Sequence, residues 1–170
     1  MRTLVLFLAA GALMAQTPGP LMQSILPKLE TARMNLVESA EVMPESNYGY
    51  KLTPEQRSFG DWIDHNVSMN YSFCSRMEGK PMPKEKLPQT KDKASLVQAL
   101  KDSFAYCEQV FKSFDDAKAL APVTMGSRTT SAADSMIGLL TQWNQHYGNM
   151  VGYMRTKGIT PPSTARMQKK

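Results

Sequence analysis

Two cysteines and two histidines are all that the 170 residues contain of the commonest metal-binding side chains, and no later segment matches a bilayer span in apolar length. Crossing a bilayer as a helix takes roughly 20 consecutive apolar residues, so no stable membrane span is expected. The cysteines lack the Cys-x-x-Cys spacing of a redox motif. A nucleophile elbow, a Walker loop, a dinucleotide fingerprint and a His-Glu-x-x-His sequence are also missing, which sets those enzyme classes aside. Neither charge sign dominates: 20 Lys+Arg stand against 15 Asp+Glu, dispersed and interleaved. Without a basic stripe or a recognition motif, nucleic acid is not an expected partner.

What is present fits one compact domain. The chain is long enough to bury a single sizeable core, and 42% hydrophobic with 21% charged residues is ordinary globular usage. The first fifteen residues differ from the rest. Arg2 supplies a positive start, Leu4 to Ala10 is a short apolar run, and Ala10, Ala12 and Ala15 offer small-residue cleavage sites. This three-part pattern predicts a signal peptide over 1–15, a mature domain over 16–162 and a flexible tail over 163–170, in an exported protein that is periplasmic or extracellular.

Four amphipathic helices are predicted. In the first, Met22, Ile25, Leu29, Ala32, Leu36, Ala40 and Met43 recur at spacings of three and four from about Pro20, and Pro44 stops it. Ser58 and Asp61 resemble a capping box opening the second, to about Glu78. The third starts near Lys93 and carries Val97, Leu100, Phe104, Cys107, Phe111 and Phe114 on one stripe. A polar linker with Pro122 and Gly126 leads to the fourth, about Thr130 to Lys157, which Gly158 and Pro161-Pro162 end. Four such helices without a strand of comparable length predict an all-α four-helix bundle. The 13 Met residues mostly fall on the apolar stripes, as adaptable core filler.

The linker between the second and third helices holds about fourteen residues, enough to travel the length of a bundle. If those helices are antiparallel, Cys74 and Cys107 stand about 15 Å apart in height; if parallel, only about 3 Å. An exported chain with two Cys is expected to oxidise them where geometry permits, so a Cys74 to Cys107 bridge between parallel helices is predicted. Asn66 and Asn70 each open an Asn-x-Ser sequence, but both fall within a predicted helix, where a glycosylation acceptor is not expected.

The histidines also fall inside helices. Trp62-Ile63-Asp64-His65 with Met69-Asn70-Tyr71, and His146-Tyr147-Gly148-Asn149-Met150-Val151 with Tyr153-Met154-Arg155, resemble the helix-two and helix-four metal motifs of the DinB-like (DinB/YfiT-like) family of metal-dependent bundles. Met43-Pro44-Glu45, Thr53-Pro54-Glu55 and the closing Pro161-Pro162-Ser163 extend the likeness over nearly all of the mature chain, toward an exported subgroup. The resemblance implies an up-down-down-up bundle. It also implies a divalent-metal site, for zinc or nickel, built from one His on helix two and two on helix four. His65 and His146 match the first and last of these ligands, while the third position is Gln142. An i, i+4 pair shares one helical face, so Gln142 is expected on the wall of a cavity shared by the imidazoles. Its amide oxygen is a poorer partner for either metal than imidazole, and weak binding or none is expected. Asp61, one turn before His65, is a candidate extra ligand or orienting group, with a helix N-terminal carboxylate as its ordinary role.

Three functions remain open: a bundle with a degenerate metal site binding a small molecule or partner protein without established catalysis, a metal-dependent transferase or hydrolase, and a purely structural exported domain. Fold resemblance alone does not choose among them. The expected partner is a small-molecule ligand, with a homodimer kept open.

Overall fold

The computed structural model describes residues 18–125 and 128–169, and the signal peptide expected over 1–15 lies outside them. Four long helices dominate: α1 (Pro20–Val42), α2 (Phe59–Met77), α3 (Lys93–Lys112) and α5 (Ala132–Thr156). Their bounds fall within about two residues of those predicted. Between the last two lie a short α4 (Asp116–Leu120) and an antiparallel hairpin of β1 (Pro122–Met125) and β2 (Arg128–Ser131). The described part of the expected polar linker is therefore structured. Asp115 caps α4 through the Lys118 amide at 2.7 Å, and the β-branched Val123, Thr124, Thr129 and Thr130 suit paired extended backbone. No helix among the described residues is long and apolar enough to cross a membrane.

Local chemistry fixes the helix ends. Ser58 and Asp61 form the predicted capping box on α2, while Asp92 and Ser131 cap α3 and α5. Gly79 and Gly158, at φ of 70° and 72°, close α2 and α5 with the paired bonds of a Schellman turn. The start of α1 has no side-chain cap of its own. Its first-turn amides, those of Leu21 and Met22, donate instead to the Asp116 carboxylate at 2.9 and 3.0 Å, from nearly a hundred residues away. A Cβ on Gly19 would stand 2.5 Å from that carboxylate, so only glycine admits the approach.

The apolar stripes of the long helices meet in one core, in which Trp143 is fully buried with Phe104 at 5.0 Å and Phe111 at 6.2 Å between ring centroids. Met22, Met43, Met136, Met150 and Met154 lie in it without exposed surface, as filler should. Contacts between α2 and α3 keep step along their lengths. Lys91, just before α3, pairs with Asp61 in the first turn of α2 at 2.8 Å; Asn70 donates to Ser103 midway at 3.0 Å; and Tyr106 donates to Glu78 at the end of α2 at 2.6 Å. Between α2 and α5 the order reverses, since Trp143 meets Asn70 and Tyr153 meets Trp62.

Cys74 and Cys107 stand in disulfide contact, with Cα atoms 5.4 Å apart. Of the expected tail, residues 163–169 are described. Pro162–Gln168 forms a helix, α6. The Ser163 amide donates to the Tyr147 hydroxyl at 3.0 Å, and Arg166 reaches Glu38 and Asn35 on α1. The sequence hid this because a seven-residue helix carries too little periodicity to read, and its anchors lie far away in the chain.

Closing a loop with a sequence separation of 33 removes enough unfolded-state entropy to be worth about 3–4 kcal/mol in the chain-entropy account. Replacing both cysteines with alanine should lower unfolding stability by that order in denaturant titration. Peptide mapping without reduction should recover the linked pair, and free thiols in protein made in an oxidising compartment would contradict the bridge.

Candidate functional site

Along α2, Trp62, Asn66 and Asn70 recur every fourth residue and so share one face, with His65 beside them. That face meets Trp143, His146, Met150 and Tyr153 of α5, which recur at spacings of three and four. The two imidazoles come together, their ring centroids 5.0 Å apart. Trp62 closes the group at 5.1 Å from His146 and 6.1 Å from His65. His146 is buried and His65 half-buried.

Asn66 decides how His146 is held. It is fully buried, and its side-chain amide donates to the Trp62 carbonyl at 2.7 Å, which turns its oxygen toward His146 Nδ1 at 3.0 Å. Reversing the amide would set oxygen against oxygen. Nδ1 of His146 therefore carries the proton and donates, and Nε2 keeps its lone pair, as in a ligand imidazole held by an outer hydrogen bond. Asn70 is fixed by the same logic one turn on. The indole N–H of Trp143 can only donate, so the Asn70 oxygen accepts it at 2.7 Å while its nitrogen donates to Ser103. Both asparagines are fully buried and bonded, in keeping with reading their Asn-x-Ser sequences as coincidence.

Burial, then the neighbouring His65 and Arg57, push the His146 imidazole down to about 4. Burial and Arg57 also lower His65, against a raising influence of Asp64. Both rings are thus neutral near pH 7, the form that binds a metal. Arg57 lies over the Trp62 ring at 5.1 Å, and its own carbonyl accepts the Tyr153 hydroxyl at 2.5 Å.

The other predicted residues lie outside the imidazole pair. Gln142, one turn before His146, is solvent-exposed rather than part of a buried wall. Asp61 directs its oxygens to the Ser58 hydroxyl at 2.7 Å and to Lys91 at 2.8 Å, and Lys91 holds its carboxyl below the usual range. Cys74 lies in the bridge to α3, away from the imidazoles. Among the described residues no group of three or more His, Cys, Asp or Glu is arranged to hold a metal ion. The nitrogen donors brought together are two imidazoles, which do not make a tight three-imidazole centre. Asn66 had no assigned role in the sequence reading. The available signal was its register, since a polar residue one turn from Trp62 and three after buried Ile63 falls on the buried face.

The DinB superfamily profile matches residues 28–150, which include Arg57, His65 and His146. The chain belongs to the DinB superfamily. A crystal structure of a DinB-like protein from Bacillus cereus ATCC 10987 is similar to it, with a TM-score of 0.69 at 14% identity over 82% of this chain and 95% of that one. At that identity the likeness speaks for the fold alone. No curated protein matches.

The depressed His146 pKa ties stability to pH. Between about 6.5 and about 4 the unfolded chain binds a proton that the folded chain refuses, so stability falls as pH falls through that window. In His146→Gln, chemical denaturation over the same range should show a shallower pH dependence than the wild type. Equal slopes in the two proteins would contradict the burial of a neutral imidazole.

Proposed function

We propose that this DinB-superfamily member is an exported four-helix bundle in up-down-down-up order, carrying a degenerate divalent-metal site and binding a small ligand or partner rather than acting through an established catalysis. The start-to-start contacts of α2 with α3, and the reversed order of α2 with α5, support the topology. The three-part N-terminal pattern supports export. One observation carries the site: two neutral imidazoles 5.0 Å apart, of which His146 is held by Asn66 with Nε2 free.

His65 and His146 would hold zinc or nickel, and the ion supplies Lewis acidity toward a ligand oxygen or nitrogen. The chain does the rest. Asn66 fixes the His146 tautomer, Trp62 covers both rings and limits water, and Tyr153 anchors the segment carrying Arg57. A metal-dependent transferase or hydrolase would need the ion held firmly through turnover, and the exposed Gln142 argues against that.

Competition titrations with zinc and nickel test the reading. Gln142→His should tighten both metals by adding an imidazole on the same helical face, and His65→Ala should abolish stoichiometric binding. Asn66→Ala, which frees the His146 ring, should weaken affinity by about ten- to a hundredfold. Unchanged affinity across these proteins would exclude the histidine pair as a metal site.

A further inference from the structure

Seven ion pairs join the described residues, and Arg57 takes part in none of them. This is notable for its location. The guanidinium lies on the Trp62 ring, and that ring touches both imidazoles. Its backbone is tied to α5 through the Tyr153 hydroxyl, so the charge is held at one spot by a stacking contact and a short hydrogen bond. The nearby carboxylates are engaged elsewhere: Asp64 and Asp61 both face Lys91, at 3.4 and 2.8 Å. A second cation, Lys157, lies over Tyr50 at 3.8 Å, likewise outside the ion pairs, and Tyr50 packs edge-on against Tyr153 at 6.0 Å. Beside the imidazole pair the partly exposed Trp62 and Tyr50 thus carry two cations, Arg57 and Lys157, with Tyr153 buried beneath them.

We infer that Arg57 is a specificity-determining residue of this site, donating to the carboxylate of a small organic acid whose apolar body lies against Trp62 and Tyr50. The inference rests on reading the imidazole pair as a ligand site. Three features support it. A planar guanidinium presents paired N–H donors that match a carboxylate bidentately, and stacking on an aromatic face leaves those edge donors free. The donors around the imidazoles are neutral, and the nearby Asp64 and Asp61 carboxylates pair with Lys91 rather than with the arginine. The aromatic lining supplies apolar contact beside the charge, the usual composition of a small-molecule site.

Metal-free mature protein, titrated with benzoate and with the uncharged isostere benzamide, tests this. Binding is followed by NMR at the Trp62 indole and at the arginine Nε–H signals. Benzoate should saturate with a millimolar dissociation constant, roughly tenfold or more below that of benzamide, since losing the charge removes the bidentate contact. Arg57→Gln should weaken benzoate at least about tenfold, and Arg57→Lys, which keeps the charge but not the fork, should fall between. Lys51→Gln, removing an exposed charge from the same loop, should change it less than about twofold. Equal affinity for benzoate and benzamide, equal losses in Arg57→Gln and Lys51→Gln, or no saturable benzoate binding would each overturn the assignment. Metal is absent throughout, so this outcome is separate from the metal titrations: Arg57-dependent benzoate binding can stand where zinc and nickel fail to bind, and the reverse.

Discussion

Two buried side-chain amides on one face of α2 hold the region that matters. Asn66 and Asn70 have no exposed surface, and each sends its oxygen across to α5, one to His146 and the other to Trp143. A buried amide without a partner costs about 1–3 kcal/mol, so a displacement of α2 against α5 that breaks both contacts is opposed twice. The apolar stripes alone would tolerate such a slip far better, because hydrophobic burial is not directional. Among the described residues no buried side-chain nitrogen or oxygen is left without a partner. The polar pairing therefore sets a register that the apolar core merely fills.

From that register the chemistry of the site follows. Asn66 leaves His146 with one nitrogen committed and one free, and burial keeps the ring neutral. His65, half-buried on the same face of α2, brings a second neutral ring beside it. Trp62 does two things, covering both imidazoles and seating the Arg57 guanidinium. The disulfide lies on the opposite contact of α2, toward α3, and contributes stability without taking part in the site. One helix thus faces a covalent staple on one neighbour and a polar, ligand-capable seam on the other.

Much of this was legible in the chain. The 3-4 spacing of Leu100, Phe104, Cys107 and Phe111 gave α3 its position, and the Ser58 capping box marked the start of α2. Matching the heights of Cys74 and Cys107 anticipated their contact. The pairing of His65 with His146 was legible only through family resemblance, since residues separated by 81 positions leave no local mark. Three things were left open or missed, for physical reasons. Asp61 has two compatible roles, and the Ser58 hydroxyl with Lys91 claims it for the helix start. Gln142 shares a helical face with His146, but a shared face does not fix whether a side chain is covered. The hairpin and α6 are too short for periodicity to announce them, and α6 depends on contacts with α1 that only the folded chain creates.

The account turns on the state of one imidazole, which long-range nitrogen–proton NMR correlations on the metal-free protein at pH 7 report directly. The Asn66 contact requires His146 to be neutral with its proton on Nδ1, giving a protonated-type Nδ1 shift and an unprotonated-type Nε2 shift. A proton on Nε2, or a charged ring with both nitrogens protonated, would contradict it.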